Sequence, residues 1–136
     1  MSGIQVIRPE QRDNSTAQTT GMTRQAGVSE ELVGATTIWS GYVKTPPGTA
    51  SGVHHHGDCE TAIYVLSGHV RFSWGPMLEH HADVQAGDFL YVPPMEVHME
   101  ENLSAIEPLE LIVSRGCTQM LVENVPDPQL GQHKHL

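Results

Sequence analysis

An all-β domain, a small antiparallel β-barrel of two facing sheets, is the expected fold of this chain, and three observations carry the expectation. Short apolar segments recur at close, regular spacing, and no segment sustains a helical period. Turn formers are plentiful, with 13 Gly and 9 Pro, while charged residues make up only 17%, which suits many short strands better than long solvated helices. The length of 136 residues holds one core and is too short for two.

In chain order, residues 1–21 open with the short alternating piece Ile4-Gln5-Val6-Ile7. They continue into polar Gln11-Arg12-Asp13-Asn14-Ser15-Thr16, which has neither period and reads as an arm. Such an arm can cover an edge strand of its own domain or of a second copy, so a homodimer is expected. Strands are predicted over 22–26 and 36–43. Between them, Ser29 ahead of two acids could cap one helical turn, but the segment is too short for an independent helix and is read as a loop. Lys44-Thr45-Pro46-Pro47-Gly48 breaks the ladder, because consecutive prolines donate no hydrogen bonds. A histidine-bearing strand follows, then Ala62-Ile63-Tyr64-Val65-Leu66 and a turn at Ser67-Gly68. The return strand over 69–74 places Val70, Phe72 and Trp74 on one face. Further strands are predicted over 78–84, 89–92, 97–101 and 109–115, with a last one over 120–125. The domain therefore spans 22–126, and 127–136 reads as a disordered tail.

Composition removes several classes of function. A formal charge of -9 repels phosphate backbones, and the few Lys and Arg form no stripe, so nucleic acid is not an expected partner. No apolar run approaches the ~20 residues of a membrane span, and the N-terminus lacks the basic start and apolar block of a leader; a soluble, cytoplasmic protein is expected. Cys59 and Cys117 form neither a CxxC pair nor a framework, so reduced thiols are expected. Gly-rich phosphate loops and nucleophile elbows are absent from the sequence.

The chemistry concentrates in Gly52-Val53-His54-His55-His56-Gly57-Asp58-Cys59-Glu60-Thr61. On an extended strand His54 and His56 project to the same side, and His55 away from them. His98, beyond the strand over 89–92 and the turn Pro93-Pro94-Met95-Glu96, can add a third imidazole. Three nitrogens leave coordination positions open for chemistry. The plainer alternative, a solvated histidine run, fits poorly between a Gly-rich approach and an apolar strand. Glu100 shares strand parity with His98 and is a candidate general base, or else a rim carboxylate within the acidic run Glu96, Glu100, Glu101. His80, His81, His133 and His135 are read as surface.

These residues resemble the cupin superfamily. Gly48, His54, His56, Glu60 and Gly68 follow its first motif, and Gly87, Pro93, His98 and Asn102 its second. Two positions depart from it. Met95 stands where the second motif has glycine, and seven residues between Glu60 and Gly68 put Thr61 in the ligand register counted back from the glycine. A bulge that absorbs the extra residue would let Glu60 reach the ion. Without one, Cys59 and Thr61 face the cavity beside a three-histidine centre completed by water. Asp58 is a further acidic alternative. The resemblance implies a double-stranded β-helix of jelly-roll type, with a divalent ion (Fe, Mn, Ni or Zn) held by His54, His56, His98 and Glu60. It also implies a small-molecule substrate and chemistry of the dioxygenase, isomerase or lyase type. The alternative is a non-catalytic ligand-binding or sensing domain with a structural metal.

Overall fold

The computed structural model describes residues 3–118 and 122–128. The part of the expected 127–136 tail that lies beyond 128, with His133 and His135, and the start of the last predicted strand at 120–121, lie outside them. Ten strands build two five-stranded antiparallel sheets: β1 (Thr23–Val28), β2 (Trp39–Thr45), β3 (His54–His55), β4 (Thr61–Ser67), β5 (His69–Trp74), β6 (His80–Gln85), β7 (Phe89–Val92), β8 (His98–Asn102), β9 (Leu109–Arg115) and β10 (Glu123–Asn124). One sheet runs β1-β2-β9-β4-β7 and the other β10-β3-β8-β5-β6. Among the described residues no ladder joins the two, so the architecture is a jelly-roll sandwich and not a closed barrel. The inward positions alternate along each strand, as the period-two pattern requires. Val43, Ile63, Val65, Leu109, Leu111 and Val113 from the first sheet pack on Val70 and Phe72 from the second.

Two expectations are corrected at the level of elements. The stretch after β1 is not a loop but one helical turn, α1 (Glu30–Val33). Ser29 Oγ accepts a hydrogen bond from the Leu32 N–H, and Gly34 closes the turn in the left-handed conformation. Tertiary contact with β1 supplies what four residues cannot supply alone. The cysteines are not reduced thiols: Cys59 and Cys117 form a disulfide with their Cα atoms 6.0 Å apart. The reason is register. Thr61 pairs with Arg115, the Gly116 N–H donates to the Glu60 carbonyl, and one more step along the same antiparallel ladder brings Cys59 opposite Cys117. That pairing withdraws the cysteine argument for a reducing compartment. No described helix is long and apolar enough to cross a membrane. On the N-terminal arm, Asp13 forms an isolated bridge with Ala26 of β1, the edge strand of the first sheet.

Candidate metal centre

Register brings the three histidines together. His54 on β3 pairs directly with His98 on β8, and His56 follows two residues after His54. One ring nitrogen from each lies within 4.8 Å of the others, and all three side chains are buried. Backbone carbonyls fix two of the rings: His54 Nδ1 lies 2.8 Å from the Gly52 oxygen and His98 Nδ1 2.8 Å from the Glu96 oxygen. A carbonyl only accepts, so each Nδ1 carries the proton and each Nε2 keeps its lone pair. Burial holds both imidazoles neutral, with the His98 pKa lowered to about 4 and that of His54 lower still. His54 Nε2 is buried without a hydrogen-bond partner, a costly state for a polar atom unless something binds there. These donors fit a divalent first-row ion.

The fourth side of the cluster is cationic. Arg115, at the end of β9, donates to Thr61 Oγ1 at 2.6 Å, and its other terminal nitrogen lies 3.2 Å from His56 Nε2. Arg24 of β1 is buried as well, and desolvation lowers the two guanidinium pKa values to about 10 and about 9 for Arg24 and Arg115 respectively. Glu100 faces the same interior from β8. Burial pushes its carboxyl up to about 7 against the pull of both arginines, and its Oε2 has no hydrogen-bond partner. Beside His98, a cavity of about 300 Å³ opens between the edge strands β6 and β7, lined by Phe72, Trp74, Leu90, Tyr91 and Val92.

The expected glutamate ligand is not in this cluster. Glu60 lies on the outer surface, where its carboxylate accepts a hydrogen bond from the Tyr91 hydroxyl at 2.8 Å. A bulge is present in β4, but between Val65 and Ser67, past the site, so it does not re-aim Glu60. Thr61, in phase with Ile63 and Val65, points inward instead. Asp58 is exposed, and Cys59 is committed to the disulfide. His55 turns away to lie 3.5 Å from Glu123, while His80 and His81 are exposed. The two buried arginines were missed. Their signal was strand parity: Arg24 sits in the inward series with Met22 and Ala26, and Arg115 in the series Leu109, Leu111, Val113.

A two-sheet jelly roll with histidines converging from β3 and β8 defines a class of β proteins built around an interior metal-type site. Residues 41–115 match the cupin domain family model, more than half of the chain, and the chain belongs to that family. Solved structures similar to it include oxalate decarboxylase from Bacillus subtilis at pH 4.6, with 24% identity and a TM-score of 0.68 over 88% of this chain and 33% of that one. A study of the Mn(II) centres of the same Bacillus subtilis enzyme gives 24% identity and 0.68 over 89% and 34%. The formate complex of Lactobacillus farciminis oxalate decarboxylase gives 19% and 0.70 over 91% and 39%. This chain thus spans little more than a third of the length of those structures. A comparison with curated proteins returned no match.

Proposed function

We propose that this protein is a metal-dependent cupin enzyme acting on a small organic molecule, with a divalent ion on His54, His56 and His98. The observation that carries the reading is the pair of backbone-locked, buried imidazoles that converge with His56 on one point, the Nε2 of His54 having no hydrogen-bond partner. A bound divalent ion would supply Lewis acidity to a substrate oxygen. Glu100, with its carboxyl pushed to about 7, can hold or release a proton near neutrality, the property a general acid or base needs. The apolar cavity beside His98 takes the body of the substrate and keeps water from it. The similarity to solved structures of oxalate decarboxylase, one of them studied for its Mn(II) centres, supports a lyase within the dioxygenase, isomerase and lyase range, and manganese among the candidate ions.

The guanidinium beside His56 Nε2 favours a second reading, a cupin that binds or senses a small ligand without turnover. Two measurements decide. Elemental analysis is expected to find one divalent ion per chain in the wild type and in Glu60→Gln, and none in a folded His98→Ala variant; undiminished metal in His98→Ala refutes the centre. Oxygen uptake, or conversion of an anaerobic panel of small acids, by iron-, manganese-, nickel- or zinc-loaded protein supports the enzyme. Binding without conversion for every ion supports the sensor.

A further inference from the structure

The wall of the cavity beside His98 is of one chemical kind. Strand parity sends Phe72 and Trp74 of β5, Ala82 and Val84 of β6, and Leu90 and Val92 of β7 toward the interior, and these residues line it. Trp74 stands opposite His98 in the β5–β8 ladder, and the Phe72 ring lies 6.4 Å from the His98 ring, so the wall begins at the third imidazole. Trp74, Val84 and Leu90 pack against the core yet stay only partly buried. Half-covered apolar side chains around a concavity between two strand edges are the surface an apolar ligand covers.

Charge selects in the same direction. Among the described residues no lysine or arginine lines the cavity, and its one acidic residue is Glu96. Arg24 and Arg115 are not part of the wall, and Glu100 sits near enough to feel both. A carboxylate set against this wall would leave water without gaining a partner, and the formal charge of -9 repels it on approach. A bound ion is the one attraction left to an anion, and it acts on a head group at His98, not on the body that the wall holds. Size narrows the class further. An apolar space of about 150 Å³ takes a benzene ring, so a cavity of about 300 Å³ fits a single ring with its substituents.

We propose that the substrate of this site is an uncharged, single-ring molecule carrying an oxygen, its ring covered by Trp74, Val84 and Leu90 and its oxygen directed to the ion at His98. The inference rests on the metal reading above for the role of the oxygen, and on the cavity alone for the ring. Trp74 is the specificity-determining residue: its indole offers the largest apolar surface of the wall, and the ladder seats it beside His98.

The test compares benzyl alcohol, benzoate and ethanol on the metal-free full chain by isothermal titration calorimetry. Benzyl alcohol is expected to bind at least about tenfold more tightly than benzoate, which has the same ring and an unpaired charge, and at least about tenfold more tightly than ethanol, which has no ring. Ala82→Trp, which fills the cavity from β6, should lose benzyl alcohol binding and still hold one Mn²⁺ per chain. Trp74→Ala should weaken benzyl alcohol at least about threefold and keeps the test alive if Ala82→Trp does not fold. In the Mn²⁺-loaded wild type the ion should broaden the proton resonances of benzyl alcohol, an effect absent from Ala82→Trp. Benzoate binding the metal-free chain as tightly as benzyl alcohol overturns the inference and leaves the metal centre standing. Benzyl alcohol binding unchanged in both variants, or bound without broadening in a chain that holds Mn²⁺, overturns the placement in this cavity. A wild type that binds benzyl alcohol as expected but no Mn²⁺ overturns the metal reading and the role of the oxygen, and leaves the ring site standing.

Discussion

At Met95 the backbone takes φ 63°, the left-handed region that a side chain with a Cβ rarely adopts. The turn has a reason to hold it there, since the Met95 N–H donates to the Gly57 carbonyl at 2.7 Å and so ties the segment before His98 to the segment after His56. The residue is 56% exposed. Met95→Gly should therefore stabilise the fold by about 0.5–1 kcal/mol, the relief of strain outweighing the extra freedom of glycine in the unfolded chain. Urea unfolding checks this, and a lower midpoint for the variant would contradict it. Single residues also mark where the site could and could not be foreseen. His54 and His56 were legible as a pair because strand parity puts them on one side, whereas His98, beyond four intervening strands, was legible through the resemblance of its segment to the second cupin motif. The fate of Glu60 was not, because it turns on where one extra residue of β4 is accommodated, and the bulge between Val65 and Ser67 is a property of the pairing with β9.

The pairing of β4 with β9 is the element that carries most of the site's support. It places Thr61 opposite Arg115, fixes Arg115 beside His56, and carries its register on to the disulfide between Cys59 and Cys117. Short alternating segments foretold the strands of this pair well, since a buried face and an open face leave a period of two in the residues themselves. What they do not encode is which strand lies beside which: β4 and β9 are separated by four other strands, and a cysteine pair 58 residues apart shows no local spacing. Helix α1 was half legible: Ser29 was visible as a possible cap, but a four-residue turn stabilised by that cap and by its neighbours leaves no periodicity in the residues. The disulfide closes a loop set by that separation of 58 residues, which in the chain-entropy model amounts to about 4 kcal/mol of constraint on the unfolded state. The Cys59→Ser, Cys117→Ser double variant should lose a large part of that amount in denaturant unfolding at neutral pH. Reduction of the wild type should produce the same loss, and a midpoint unchanged by both treatments would show that the bond adds nothing to stability.

Across the whole molecule, charge is distributed against the chain's own average. The sequence is acidic, with a formal charge of -9, yet the interior near the imidazoles holds Arg24 and Arg115 with Glu100 as the buried carboxylate. This arrangement makes the metal-free fold sensitive to acid in a way that can be worked out. His54 and His98 stay neutral because burial disfavours the imidazolium, and the His98 pKa lies at about 4 where an unfolded histidine has 6.5. As pH falls below 6.5 the unfolded chain takes up two protons that the folded chain refuses, so stability is lost on acidification toward pH 4. Glu100 acts in the opposite sense. Its folded pKa of about 7 stands above the unfolded 4.5, so its contribution is complete below 4.5 and is lost as pH rises through 7. Between those limits two imidazoles oppose one carboxyl, which leaves a net of one proton and a slope of at most about 1.4 kcal/mol per pH unit, stability rising with pH. Thermal unfolding of metal-free protein should thus show a falling midpoint from pH 6.5 to pH 5. Glu100→Gln should steepen that fall by removing the opposing group, and His98→Asn should flatten it. A midpoint that rises on acidification, or a Glu100→Gln profile shallower than the wild type, would mean that these buried groups do not hold the protonation states their surroundings impose.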